Sequence, residues 1–298
     1  MRTFLACLVL LLAAPAFAEP LPASIVADPP QDRAHPAGMI AFALPTKGTK
    51  INAVLYTASG GGKHPTVLLL HGLPGNEQNL DLARAMQREG WNVLTLHYRG
   101  SWGSRGDFTF THCIEDADAA LAWLRNPDTA AASHIDATKI AIVGHSMGGF
   151  VTGYVAGHDP ALLGAGLISA ANLGGMGALP KAAVAQVIEQ NIENNAGMHT
   201  LGDATAERLA DEAIRMAKDW DITAFGVGLA KHPLLVVSSN DGLAAGDEAI
   251  AKATEAAGGA PVTRVHLETD HSYNDQRIAL EAAVIRWLEN LPGAPAGL

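Results

Sequence analysis

Four stretches of this chain are apolar almost without interruption: Thr66 to Leu70, Trp91 to His97, Lys139 to Val143 and Leu234 to Val237. A strand with one wet face alternates apolar and polar residues, so unbroken runs predict strands covered on both faces. Between them the spacing turns helical: Asn79 to Glu89 (Leu80, Leu82, Ala83, Met86), Ile114 to Leu124, Gly246 to Ala257, and Arg277 to Leu291 (Ile278, Ala282, Ile285, Leu288). Strand alternating with helix gives an α/β fold with a mainly parallel, doubly wound sheet. Val262 to Leu267 adds a strand of mixed pattern. Met39 to Leu44 and Ile51 to Tyr56, separated by Pro45-Thr46-Lys47-Gly48, predict an antiparallel pair at a sheet edge. Pro20 to Gly38 reads as an extended lead-in. Ala171 to Lys231 breaks the alternation, with helical stretches at Ala182 to Ile192 and Ala206 to Trp220 and no strand, and reads as a helical insertion.

The N-terminus, MRTFLACLVLLLAAPAFA, has a positive start at Arg2, an apolar run from Phe4 to Ala14, and an Ala16-Phe17-Ala18 cleavage site. Residues 1–18 therefore read as a signal peptide, and the mature chain as periplasmic or secreted; a buried first helix or an uncleaved anchor is the alternative. Cys7 leaves with the signal, so Cys113 is the one remaining thiol. No internal disulfide is then expected, and Cys113, in a helical pattern beside Ile114, reads as a small buried hydrophobe. The net charge of −10 argues against a nucleic-acid partner, which needs a basic surface. No apolar run reaches the roughly eighteen residues of a membrane span, so no stable membrane insertion is expected after cleavage.

The strongest chemical signal is Ile140-Ala141-Ile142-Val143-Gly144-His145-Ser146-Met147-Gly148-Gly149. It is G-x-S-x-G after an apolar strand and before a helix-compatible stretch. A serine hydroxyl becomes a useful nucleophile when a tight turn holds it clear of the sheet, and small residues either side avoid collision as the chain reverses. The second signal is the strand Thr66 to Leu70 running into His71-Gly72-Leu73-Pro74-Gly75-Asn76. Backbone N–H groups of such a loop can stabilise an alkoxide, and the candidate donors are those of Leu73 and Met147.

On these residues the chain resembles the α/β-hydrolase fold over nearly all of residues 19–298, with a helical cap at about 172–230. HGLPGN looks like the oxyanion loop, GHSMGG like the nucleophile elbow, and LHYRGSWGS is similar to a stretch of the prolyl-oligopeptidase-like and dienelactone-hydrolase-like branch. Dienelactone hydrolases carry cysteine where this chain has Ser146, so that narrower activity is not implied. The family order, Ser then acid then His, implies an acid after a later strand and a histidine after the last. His232 to Gly242 supplies Asp241 directly after a strand, and Thr269-Asp270-His271 supplies the histidine.

Asp247 and Asp270 compete with Asp241. Asp247 falls at the start of a helix, where a first-turn acid is the simpler reading, and Asp270 adjoins His271 too closely to reach its ring. The expectation is a Ser146–His271–Asp241 triad acting on a small-molecule ester or short peptide, esterase first and peptidase second; a catalytically inactive binding module is the rival from another class. Glu189 and Glu193 in the cap are the one hint of a clamp for a peptide amine. The cap, rich in Ala, Gly and Met near Gly174 to Leu179 and Phe225 to Leu229, is expected to furnish an apolar acyl pocket. His71, His97 and His145 read as turn-shaping or strand residues, and Arg99 as tied to its loop through carbonyls or Asp107. No H-E-x-x-H, Cys/His cluster, G-x-G-x-x-G after the first parallel strand or G-K-[ST] loop occurs, so neither metal nor nucleotide cofactor is expected.

Overall fold

A computed structural model describes residues 20–193 and 200–295, apart from the side chains of residues 191–193. The signal-like segment with Cys7, the side chain of Glu193 and the C-terminal three residues lie outside the described residues. Eight strands form one sheet: β1 (Gly38–Thr46), β2 (Thr49–Thr57), β3 (His64–Leu70), β4 (Asn92–Leu96), β5 (Ile135–His145), β6 (Gly164–Ile168), β7 (Leu234–Ser239) and β8 (Val262–Leu267). Their spatial order is β1-β2-β4-β3-β5-β6-β7-β8. The β1–β2 and β2–β4 pairs are antiparallel and the rest parallel. The edge hairpin and parallel centre match the expectation.

The unbroken apolar runs have the predicted cause. Alternate residues of β3 and β5 enter opposite layers: Leu68, Leu70, Ile140 and Ile142 pack on one face, Val67, Leu69, Ala141 and Val143 on the other. The helices are α1 (Ala23–Val26), α2 (Leu80–Arg88), α3 (Phe110–Arg125), α4 (Pro127–Ala132), α5 (Met147–His158), α6 (Lys181–Glu193), α7 (Ala206–Arg215), α8 (Gly226–Leu229), α9 (Ala244–Ala257) and α10 (Arg277–Glu289). Leu82 and Met86 of α2 join Leu280, Val284 and Leu288 of α10 under one face, while α3 and α5 cover the other.

Three local features depart from expectation. β6, Gly-Ala-Gly-Leu-Ile, is a buried strand where none was expected, because two glycines in five residues carry little strand propensity. The lead-in contains one helical turn, α1, tied down where Arg88 Nε donates to the Ser24 carbonyl at 2.5 Å. The helix expected from Ile114 begins earlier, at Phe110, because Thr109 caps it by accepting from the His112 N–H.

The segment between β6 and β7 holds α6, α7, α8 and short 3₁₀ turns, and no strand among its described residues. It is built into the body of the protein. Leu209, Ala213 and Trp220 are buried with Phe108, Phe110 and Phe150, and Glu212 accepts from the N–H groups of Phe110 and Thr111 at the start of α3. Cys113 is fully buried on α3, and burial pushes its thiol pKa well up, so it packs as the expected hydrophobe. Among the described residues no helix is long and apolar enough to cross a membrane.

Candidate active site

The parallel strands deliver their C-terminal ends, and the loops after them, to one edge of the sheet. β5 ends at His145 and α5 begins at Met147, leaving Ser146 on the turn with φ 59° and ψ −120°. Such a conformation costs a non-glycine residue about 1–3 kcal/mol and persists where its surroundings fix it. Here the Ser146 N–H donates to the Ile168 carbonyl at 2.9 Å, and its carbonyl accepts from Ala171 at 3.0 Å and Phe150 at 3.1 Å. The flanking glycines are required by close approach: a Cβ on Gly144 would lie 2.1 Å from the Gly148 carbonyl oxygen, and one on Gly148 would lie 2.4 Å from that of Leu70.

Asp241 follows β7 and His271 lies in the loop after β8. The Asp241 side chain is 3% exposed, and its Oδ2 accepts from His271 Nδ1 at 2.7 Å while Oδ1 accepts from the Leu243 N–H at 2.9 Å. Burial works to raise the Asp241 pKa, but hydrogen bonds from His271, Leu243 and Ser169 outweigh it and hold the carboxylate well below its ordinary range. His271, 38% exposed, and Ser146 line the same cleft of about 40 Å³. Leu73 lines it too, and neither the Leu73 nor the Met147 N–H donates to a described residue.

The competing acids are used elsewhere. Asp247 sits in the first turn of α9, as expected, but its buried carboxylate reaches across to accept from the Ala170 N–H at 2.9 Å. Burial, with the nearby Asp241 charge, raises its pKa to about 8. Asp270 accepts from the N–H groups of Ser272 and Asn274 within its own turn.

The histidines beside the site stay neutral. His145 donates from Nε2 to the His271 carbonyl at 2.8 Å, and burial lowers its pKa to about 3. His71 bonds through Nδ1 to the Gly72 carbonyl at 2.7 Å, and burial lowers it to about 4. The stretch after β4 braces the loop over the cleft: the Tyr98 hydroxyl donates to the His71 carbonyl at 3.3 Å, and the Trp102 indole to that of Pro74 at 2.7 Å. Arg99 does tie its loop, but to α3 instead of Asp107: it meets Asp116 at 2.7 Å, Glu115 at 2.5 Å and the His112 carbonyl at 3.2 Å. Position 107 was the nearer acid in sequence, whereas α3 turns Asp116 under the strand end.

The sequence pattern missed several members of the site. Tyr273 donates to or accepts from Ser169 Oγ at 2.8 Å beneath the histidine loop, and Glu77 and Ser272 line the cleft itself. Glu77 follows HGLPGN directly, which is the signal that could have drawn attention to it. The cap was expected to wall the pocket; among the described residues the walls come instead from residues 72–77, 145–146 and 271–272. Phe225 and its neighbours pack inward against Phe150 and Tyr154. Among the described residues no group of three His, Cys, Asp or Glu side chains gathers as a metal site.

A mainly parallel sheet that presents a strained serine, a loop whose Leu73 N–H meets no acceptor among the described residues, and a buried acid bonded to a cleft-lining histidine at one edge defines a hydrolase fold. Residues 65–241 match the family described as alpha/beta hydrolase fold, and the chain belongs to it. Among curated proteins it is similar to acylamino-acid-releasing enzyme 1 of Oryza sativa subsp. japonica, 28% identical over 118 residues, which are 36% of this chain and 15% of that protein. The chain thus spans a small part of that relative's length. Among solved structures it is similar to a thermophilic carboxylesterase cloned from a metagenomic library (TM-score 0.59, 22% identity, 85% of this chain and 90% of that one). It is also similar to an acylaminoacyl peptidase of Pyrococcus horikoshii (TM-score 0.62, 15% identity, 88% of this chain and 43% of that one). At these identities the structural likeness speaks for the fold.

Proposed function

We propose that the protein is an exported serine hydrolase that cleaves carboxylic esters through an acyl-enzyme. The observation that carries the reading is the 2.7 Å hydrogen bond between Asp241 and His271 Nδ1, which leaves Nε2 of a cleft-lining imidazole to serve Ser146 in the same cleft. His271 takes the Ser146 proton as Oγ attacks the ester carbonyl. The Leu73 and Met147 N–H groups hold the resulting alkoxide, and His271 returns the proton to the departing alcohol. Water then repeats the sequence on the acyl-serine, releasing the acid and restoring Ser146. Asp241 remains a carboxylate throughout, fixing the tautomer and stabilising the imidazolium. No step calls for a metal or an organic cofactor.

The similarity to acylamino-acid-releasing enzyme 1 supports a second reading, cleavage of an amide in an acylated peptide. An amide demands more, because its poorer leaving group must be protonated as it departs. The test is an activity screen with p-nitrophenyl esters of graded length beside aminoacyl-anilides, on wild type and Ser146→Ala, with fluorophosphonate labelling. Ester turnover and labelling, both lost in Ser146→Ala, are expected; equal labelling of the variant would refute the assignment, and efficient anilide turnover would move the reading to peptidase. Export rests on the Ala16-Phe17-Ala18 site, and an intact mass beginning at or near Glu19 in exported material is the expected outcome.

A further inference from the structure

We infer that Glu77 makes the cleft selective for esters carrying a positive charge near the scissile bond, an inference that rests on the serine-hydrolase reading. Glu77 lines the cleft with Leu73, Ser146, His271 and Ser272, and no lysine or arginine is among the residues that line it. Its carboxylate is oriented, because Oε1 accepts from the Asn79 N–H at 2.6 Å, where Asn79 turns the chain into α2 with φ 55°. The other oxygen accepts no hydrogen bond from a described residue.

The neighbouring cation is shared with other acids. Arg277 faces Glu77, Asp81 and Glu281, yet its guanidinium is engaged by Asp81, at 2.7 Å through Nε and 2.5 Å through Nη2, and by Asn79 Oδ1 and the Ser272 carbonyl, each at 3.0 Å. Asp81 thus takes the two-point ion pair with the arginine, and the half-buried Glu77, which meets Arg277 only through space, stands in the cleft wall with no ion pair of its own among the described residues. His145, which also lines the cleft, is held neutral by burial and supplies no countercharge. A chain net charge of −10 adds a field that draws cations and repels anions. An ammonium group entering this cleft meets an oriented, partly desolvated carboxylate, a contact expected to raise kcat/KM by about tenfold over a neutral isostere.

The carboxylate also braces its own turn, so the decisive variant must keep the brace and remove the charge. Glu77→Gln does so, since the amide oxygen still accepts from Asn79. The experiment measures kcat/KM for two matched pairs: a choline ester against the isostere with carbon in place of the quaternary nitrogen, and the methyl ester of an ω-amino acid against that of a fatty acid of equal length. The first pair puts the charge on the alcohol side and the second on the acyl side. Wild type is expected to favour the charged member of at least one pair by about tenfold, less at high salt, with the ratio falling to near one in Glu77→Gln. Asp128→Asn, on α4 at the far edge of the sheet, should keep the wild-type ratio and so separates a local contact from net charge. Neutral esters cleaved with no preference in either pair, or a preference that survives Glu77→Gln, would overturn this inference and leave the hydrolase reading intact. No ester cleaved at all would overturn both.

Discussion

His145 donates from Nε2 to the backbone carbonyl of His271 at 2.8 Å, and the two rings lie 4.7 Å apart. Burial lowers the His145 pKa to about 3, so at neutral pH this neighbour orients His271 without opposing the positive charge that the proposed mechanism places on it. His145→Phe keeps the ring volume and removes the donor. It is expected to lose about 1 kcal/mol of stability and, through a less well-placed His271, about tenfold in kcat. Steady-state kinetics with a thermal melt check both, and a wild-type kcat would detach the bond from function.

The two acids separated by six positions should behave differently. Asp241→Asn keeps one acceptor oxygen where the carboxylate uses two, for the Leu243 N–H and for His271 Nδ1, and an amide NH2 turned to His271 favours the wrong tautomer, for which a loss in kcat of about 10³–10⁴ is expected. Asp247→Asn retains an oxygen for the Ala170 N–H and should cost less than about tenfold. Ester kinetics on the two variants decide between them, and the reverse ranking would transfer the role to Asp247.

Stability should pass through a maximum near pH 6.5. His71 and His145 have pKa values lowered by burial to about 4 and about 3, so the unfolded chain binds their protons more readily, and their contribution is lost as pH falls below about 6.5. Asp247 has the opposite sign. Burial raises it to about 8, the folded state keeps its proton, and its contribution is lost as pH rises from about 4 to about 8. Between about pH 4 and 6.5 two histidines outweigh one acid; above that Asp247 acts alone, with a slope of up to about 1.4 kcal/mol per pH unit. Asp247→Asn should therefore melt higher than wild type at pH 8.5, with the gap closing towards pH 4. A wild-type Tm that is flat between pH 6.5 and 8.5 would contradict this.

The architecture was legible wherever one physical cause dominated a run of residues. β3 and β5 are buried on both faces and so are apolar throughout, and Gly144 and Gly148 announce a turn that tolerates no Cβ. β6 carried no such mark, since its burial is met by glycine and alanine. Ser146, Asp241 and His271 could be located because each follows a strand. Which acid meets the histidine could be narrowed by loop position, but the 2.7 Å contact belongs to tertiary structure. The partners of Arg99 and the buried reach of Asp247 depend on side chains meeting across longer sequence separations, which local pattern does not encode, whereas Glu77 shares the cleft wall with the HGLPGN residues it follows. The cap misled for a related reason: Gly174 to Ala178 holds no buried residue, and the cap's aromatic side chains Trp220 and Phe225 pack on Phe150 in place of a substrate.

That last difference leads to a prediction about the cap. Glu212 on α7 accepts from the Phe110 N–H at 2.9 Å, the Thr111 N–H at 3.0 Å and the Thr111 hydroxyl at 2.6 Å. A carboxylate at a helix N-terminus is favourable both as an acceptor for otherwise unpaired N–H groups and against the helix dipole. Glu212 is buried, so water cannot replace it when it is removed. Glu212→Ala is expected to cost about 2–3 kcal/mol, and Glu212→Gln, which keeps one acceptor oxygen, about half as much. Because no described cap residue lines the cleft, turnover of a small ester well below the melting temperature should be retained, while limited proteolysis between residues 171 and 231 accelerates. Denaturant melts, ester kinetics and mapping of the cleavage sites on the same preparations test this directly. Loss of ester turnover in a Glu212→Ala protein that still melts cooperatively would show that the cap governs the site after all.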